Sequence, residues 1–407
     1  MAAALAVVGG LVVYLSSAGV EEPAPRPPAP APRGPTVWTT PVADLRPGDR
    51  RWADRLVRWA DAYDDVSDSW AAELGFEEGN SYSIPIYDAA DATMHVEVRR
   101  KTNFPGIFNI ERGRTVPWNP DWRPSAGNDG YMIVQDSRTG HEWAFWNVSW
   151  WSHQTSANSN RSCINRANLP PPVGDGYDPR TMLCAASAFE VLDPEGRVVD
   201  MRSYGGNFPG ASGAGWSISP LLVTPEEVAS GRIEHALHFF SANTMAGPEC
   251  PPEQRDAIGE RCGGAVAPAG QLEKHAPEDQ PLTQQVPEGT RFSVDLTDAE
   301  VEAWLDSRGY SGRLRDTARV IVEALRDYGW FLGDSSPNAA FWTFAGAENP
   351  QTAKGWRELG IRGTGKDLLA GLVTKENLRV WAPPTMTCAD GSRSQWYCWA
   401  TSGTYER

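Results

Sequence analysis

A carboxylate and two imidazoles stand close together in the run Arg232 to Phe240, RIEHALHFF. Glu234, His235 and His238 are residue types that move protons, and a further acid, Asp129, opens the run DGYMIVQD. Glycosidic cleavage asks for two carboxyls, ~5 Å apart for retention or ~6.5–9.5 Å for inversion, one of them kept protonated. Glu234, Asp129, Glu142 and Asp334 are the acids that enter that comparison. Elimination from a uronate polymer asks instead for a His or Tyr base, and His238, His235 and Tyr131 have the chemistry for it. Each of these side chains also has an ordinary structural use. His235 on an apolar strand face fits a hydrogen-bonded core histidine, and the acids fit turns, caps and solvated surface.

The elements that must position these groups are legible around them. Thr224 followed by Pro225, Glu226 and Glu227 reads as a helix start, with an N-cap, a proline at the first helical position and acids in the first turn. Ser230 and Gly231 stop that helix. From Arg232 the pattern alternates, with Ile233, His235, Leu237 and Phe239 on one face and Glu234, Ala236, His238 and Phe240 on the other, as in a half-buried strand. Upstream, Asp136 to Gly140 predicts a hairpin loop joining a strand at Tyr131 to Val134 with one at Glu142 to about Val148. Tyr131, Glu142, Trp143 and Trp146 there combine aromatic rings with polar groups, as a pyranose with an apolar face and a hydroxyl rim requires. Burial between two sheets is the plainer reading of any single tryptophan, although the chain holds 18 of them.

Over 407 residues, 41% of them hydrophobic, the chain has the material for a large core. A net charge of -15 repels phosphate backbones, and no basic stripe reverses it, so no nucleic-acid partner is expected. Ala2 to Val20 is an apolar run ending in small residues, read as a signal segment or, if uncleaved, an anchor and the only membrane contact. Export, to a secreted or surface-anchored location, follows from either. Residues 21–37 are a proline-rich linker, 38–383 the main domain and 384–407 a disulfide-closed tail. Six cysteines favour three neighbouring pairs, Cys163 with Cys184, Cys250 with Cys262 and Cys388 with Cys398, among the 15 pairings possible. No metal-ligand spacing occurs and no cofactor is expected, apart from a structural calcium that Asp88 and Asp91 could touch in a turn.

Elsewhere the aromatic stripe Trp52, Leu56, Trp59, Tyr63, Val66 and Trp70 predicts an amphipathic helix over Arg51 to Leu74. Glu249 to Pro287 reads as an irregular excursion of the kind that lines clefts on β scaffolds. Helices are predicted at Asp298 to Asp306, capped by Thr297, at Arg313 to Asp327 and at Asp367 to Leu372, with strands at Trp330 to Gly333 and Phe341 to Phe344. The fold class expected is mainly β with peripheral helices, an antiparallel β-sandwich or jelly-roll-like arrangement.

Four stretches, IPIYDAADAT from Ile84, the pair NDGYMIVQD and GHEWAFW, PLLVTPEEVASGRIEHAL, and ARVIVEALRDYGWFLGDS, resemble a largely uncharacterised group of exported soil-bacterial proteins, mainly actinobacterial. The resemblance runs in order over about Ile84 to Asp334. It implies an exported β-sandwich-like fold and leaves the activity open. In that group Asp tends to replace Glu234 before the same His, which directs attention to Glu234 and His235. The disulfide loops and the tail depart from it. Three functions remain: a glycoside hydrolase acting on an extracellular polysaccharide, a polysaccharide lyase, and a non-catalytic glycan-binding or surface-matrix protein. A cleft with perturbed carboxyls separates the first from the last.

Overall fold

The computed structural model describes residues 36–62, 84–100, 109–110, 113–125, 130–148, 182–192, 196–200, 210, 212–273, 281–335, 341–342, 344–346, 349–362, 368–387, 391–397 and 404–405. The helices among them are α1 (Arg50–Ala62), α2 (Pro225–Ser230), α3 (Asp298–Ser307), α4 (Gly312–Asp327) and α5 (Pro350–Glu358). The strands are β1 (Ile86–Asp88), β2 (Met94–Arg100), β3 (Thr115–Trp118), β4 (Met132–Gln135), β5 (Glu142–Trp146), β6 (Met182–Ala185), β7 (Ser187–Glu190), β8 (Leu237–Ser241), β9 (Arg291–Val294), β10 (Trp330–Ser335), β11 (Phe341–Trp342) and β12 (Leu378–Trp381). Three short strands, β13 (Met386–Thr387), β14 (Arg393–Ser394) and β15 (Thr404–Tyr405), pair in the tail.

The largest sheet has the order β11-β8-β10-β9-β12. Alternation along its strands sends Leu237, Phe239, Phe292, Val294, Trp330, Leu332, Leu378 and Val380 to one face, where helices cover them. The tryptophan stripe supplies part of that cover, since Trp52, Leu56 and Trp59 of α1 are buried there. Each such side chain contributes ~1.5–3 kcal/mol on leaving water, so these three serve packing, while Tyr63, Val66 and Trp70 of the stripe lie outside the described residues. The opposite face carries Phe331, closed over by Trp38 and Trp216 in edge-to-face contacts of 5.2 and 6.0 Å. Arg291 of β9 is buried there too, and burial lowers its guanidinium to about 9. It donates to the carbonyls of Tyr328, Val37 and Thr40, and so binds the 36–40 segment to the sheet.

A second sheet, β1-β4-β5-β7, and a third, β3-β2-β6, enclose a common core of Val96, Val98, Val116, Trp118, Met132, Val134, Trp143 and Phe145. The other face of β4 and β5 meets Ile218, Leu222 and Ala345. The hairpin forms as its Asp, Ser and Gly residues dictate, with Asp136 accepting from the Gly140 amide at 2.7 Å.

The fold is β-rich, and its sheets are mixed. This corrects the antiparallel expectation: β1 pairs with β4, β2 with β6, and β8 with β10 in parallel. Parallel pairing needs long connections. Between β8 and β10 the chain supplies one, through the Cys250–Cys262 loop, β9, α3 and α4. Apolar alternation reveals a strand's faces and carries no record of its neighbour.

Local signals held elsewhere. Thr224 and Thr297 each close a capping box, with Glu227 and Glu300, and Gly231 ends α2 at φ 89°. The Cys250–Cys262 pair is bonded, and Cys184 is bonded to a cysteine outside the described residues. Cys163, Cys388, Cys398, the proposed signal segment and most of the linker also lie outside them. Where a helix was expected to reach Leu372, residues 368–371 form turns. No described helix is long and apolar enough to cross a membrane.

Candidate functional site

β10 ends Gly333-Asp334-Ser335, and its register against β8 slips between Leu332 and Asp334. A bulge of this kind re-aims the side chain that follows it. Here it turns the Asp334 carboxyl toward the start of β4 and the turn at 212–215. The Tyr131 hydroxyl donates to Asp334 Oδ2 at 2.9 Å, the Gly213 amide donates to the same oxygen at 2.8 Å, and the Ser335 amide lies 2.9 Å from Oδ1. Three donors on one side chain suit an acceptor-only, ionised carboxylate.

The Ser335 amide serves a second carboxyl as well. It stands 3.1 Å from Glu273 Oε2, while the Ser335 hydroxyl donates to Glu273 Oε1 at 2.7 Å. Asp334 and Glu273 therefore converge on one N–H. They also face one point in space: a Cβ on Gly213 would stand 2.6 Å from Asp334 Oδ1 and 2.9 Å from Glu273 Oε2. A side chain at 213 would have to displace one of these carboxylates.

Behind Glu273 lies a third acid, Glu288, fully buried at the approach to β9. Its Oε2 accepts from the Glu273 amide at 3.4 Å. Burial, then the charges of Glu273 and Asp334, push its carboxyl well above the ordinary range. Of the three, Glu273 is the half-exposed one, whereas Asp334 is 7% exposed. Among the described residues no group of three or more His, Cys, Asp and Glu side chains has a metal-binding arrangement.

The residues singled out in the sequence fall in several places. Glu234 is exposed and pairs with Arg232 at 3.3 Å, before β8 begins and at the opposite end of the sheet from Asp334. His235 is half-buried between the Ala236 carbonyl at 2.8 Å and Glu227 Oε1 at 3.0 Å, fastening α2 to the strand. Burial acts against its charge, but the Glu227 carboxylate outweighs that and raises the imidazole above its usual value. His238 is wholly buried, edge-on to Phe240 at 4.6 Å and to Trp216 at 5.9 Å. Desolvation lowers it to about 3, partly offset by a hydrogen bond with the Gly333 backbone, so it stays neutral at ordinary pH. Asp129 lies outside the described residues.

Of the four substrate-binding candidates, Tyr131 reaches the carboxyls, and half-buried Trp146 packs in the same apolar group as Tyr131. Trp143 is buried between the second and third sheets, with its ring 3.9 Å from that of His141. Glu142 is completely buried and binds the Ser217 hydroxyl at 2.6 Å and Gln135 at 3.0 Å. Burial raises its carboxyl despite those hydrogen bonds. It braces the loop that carries Gly213. Asp88 caps its own turn, accepting from the Ala90 amide at 2.9 Å.

Glu273 and Glu288 escaped the sequence reading. Glu273 falls inside the excursion from Glu249 to Pro287, and Glu288 directly follows it. The one available signal was Glu288-Gly289 before an apolar strand, since Gly289 has φ 87° and a Cβ there would strike the Val266 carbonyl. Comparison with protein-family models, with curated proteins and with solved structures returned no match.

Proposed function

We propose that this chain is an exported glycoside hydrolase acting on an extracellular polysaccharide, with Asp334 and Glu273 as its working carboxyl pair. The observation that carries the reading is the Ser335 amide shared between them. Asp334, held by Tyr131, Gly213 and Ser335, takes the part of the ionised nucleophile. Glu273, half-exposed and backed by a buried carboxyl, takes the part of the acid and then the base. In the first step the bond from the anomeric carbon to the leaving oxygen breaks, Glu273 gives that oxygen its proton, and Asp334 bonds to the carbon. In the second, water attacks the carbon, Glu273 accepts the water's proton and Asp334 departs.

The scaffold that accompanies this reading is sandwich-like, supported by the core that the second and third sheets share. The apolar Ala2 to Val20 segment and the cysteines support export, whether to a secreted or a surface-anchored form. No cofactor is required by the chemistry.

The test is to incubate the purified full chain with a panel of neutral and uronate polysaccharides, reading new reducing ends and unsaturated-product absorbance. Reducing ends that disappear in both Asp334→Asn and Glu273→Gln support the hydrolase. Unsaturated products instead reassign the chain to the lyases, and binding with neither product leaves a glycan-binding protein.

A further inference from the structure

Glu288 has no contact with solvent, so no substrate atom reaches it, yet it accepts from the main-chain amide of half-exposed Glu273 and its side chain is within hydrogen-bonding reach of the Glu273 side chain. Only one of its oxygens is occupied. Oε2 takes the Glu273 amide at 3.4 Å, and Oε1, equally buried, has no hydrogen-bond partner. A buried carboxylate oxygen without a donor is strongly disfavoured. The carboxylic acid form removes that cost, because its O–H becomes a donor and the acceptor of the neighbouring Glu273 is at hand.

The charged groups around it point the same way. The titratable side chains facing Glu288 among the described residues are Glu273, from the 269–273 segment, and Asp334, from β10, and both are acids. Tyr131 donates to Asp334, and His238, a neutral ring, lies against Gly333.

We propose that Glu288 is a positioning residue that holds a proton beside Glu273, donating a hydrogen bond to it and setting its proton affinity. The inference rests on the reading of Glu273 as the acid and base. When Glu273 passes its proton to the leaving oxygen, the Glu288 proton stays where it is and stabilises the carboxylate left behind. When water then attacks, Glu273 regains a proton from it. Glu288 ends each turnover as it began.

The experiment is a potentiometric difference titration of the full chain against Glu288→Gln, which keeps the shape and a donor and removes the titrating proton. Between about pH 5 and about pH 9, the span into which buried carboxyls move, the native chain is expected to release one proton more than the variant. Equal release overturns the proposal. If Glu288→Gln does not fold, Asp334→Asn is titrated instead, because removing a facing charge must lower the midpoint of the same proton, and an unmoved midpoint overturns it. With an active substrate in hand, Glu288→Gln is expected to move the pH–rate profile by about one unit or more, whereas a merely structural residue lowers the whole profile without moving it. The titration needs no substrate. A proton found at Glu288 with no polysaccharide cleaved therefore rejects the hydrolase and keeps the buried acid, and the reverse result keeps the hydrolase alone.

Discussion

The hydroxyl of Tyr131 and the carboxylate of Asp334 are 203 positions apart in the chain and 2.9 Å apart in space. Tyr131 precedes β4 of the second sheet and Asp334 lies in β10 of the first, so this hydrogen bond ties the two sheets together at the carboxyl cluster.

Tyr131→Phe removes that donor and leaves the Gly213 and Ser335 amides on Asp334. Hydrogen bonds to charged groups are worth ~1.5–3 kcal/mol. On a cleaved polysaccharide, kcat should fall about tenfold or more with little change in KM. An unchanged kcat would detach Tyr131 from the chemistry.

Gly333→Ala should destabilise the chain by about 1–3 kcal/mol, the usual cost of overpacking. The added methyl meets the His238 ring and stands 2.5 Å from Trp216 Cζ2. Urea unfolding of the variant measures it. Gly309→Ala, where nothing stands within 4 Å, is the comparison for a left-handed glycine with open space.

His238 makes the fold sensitive to acid. Its folded-state value of about 3 lies below the value of an unfolded histidine, so the unfolded chain binds the extra proton first. The stability it contributes is complete above about pH 6.5 and drains away as pH falls toward 3. Thermal melts of the native chain and of His238→Phe between those limits should converge at the acid end, and parallel curves would contradict the assignment.

His235 and Glu227 act with opposite signs. The raised imidazole stabilises below its unfolded pKa, and this is lost as pH rises through the folded value. The depressed Glu227 carboxyl, whose partner outweighs the effect of burial, stabilises above its unfolded value, and this is lost as pH falls. The pair is therefore strongest in the mildly acidic range between the two ordinary values. Stability of His235→Gln relative to the native chain, followed across pH, should show its largest deficit there.

The sequence was readable wherever one short stretch decides the outcome. Thr224 with Glu227, the Asp136 to Gly140 loop, the α1 stripe and the Cys250–Cys262 pair are of this kind. Strand pairing was not, because β8 could join β9 or β10 on equal terms until the intervening connection is folded. The carboxyl cluster depends on that pairing. Glu273, Glu288 and Asp334 come from three segments and meet only after β10 bulges at Gly333 and the 212–215 turn lies against it. Asp334 alone was a candidate from its place at a strand end. Glu234 and His235 drew attention because they are adjacent, and that adjacency reflects a surface pair and a helix clasp.

The Arg291 fork has a mechanical side. Its guanidinium grips the Val37 and Thr40 carbonyls while Trp38 sits as a plug against Trp216 and Phe331. Tension arriving along the backbone from before Thr36 therefore passes through this clasp into β9, inside the largest sheet, and does not have to peel an edge strand first.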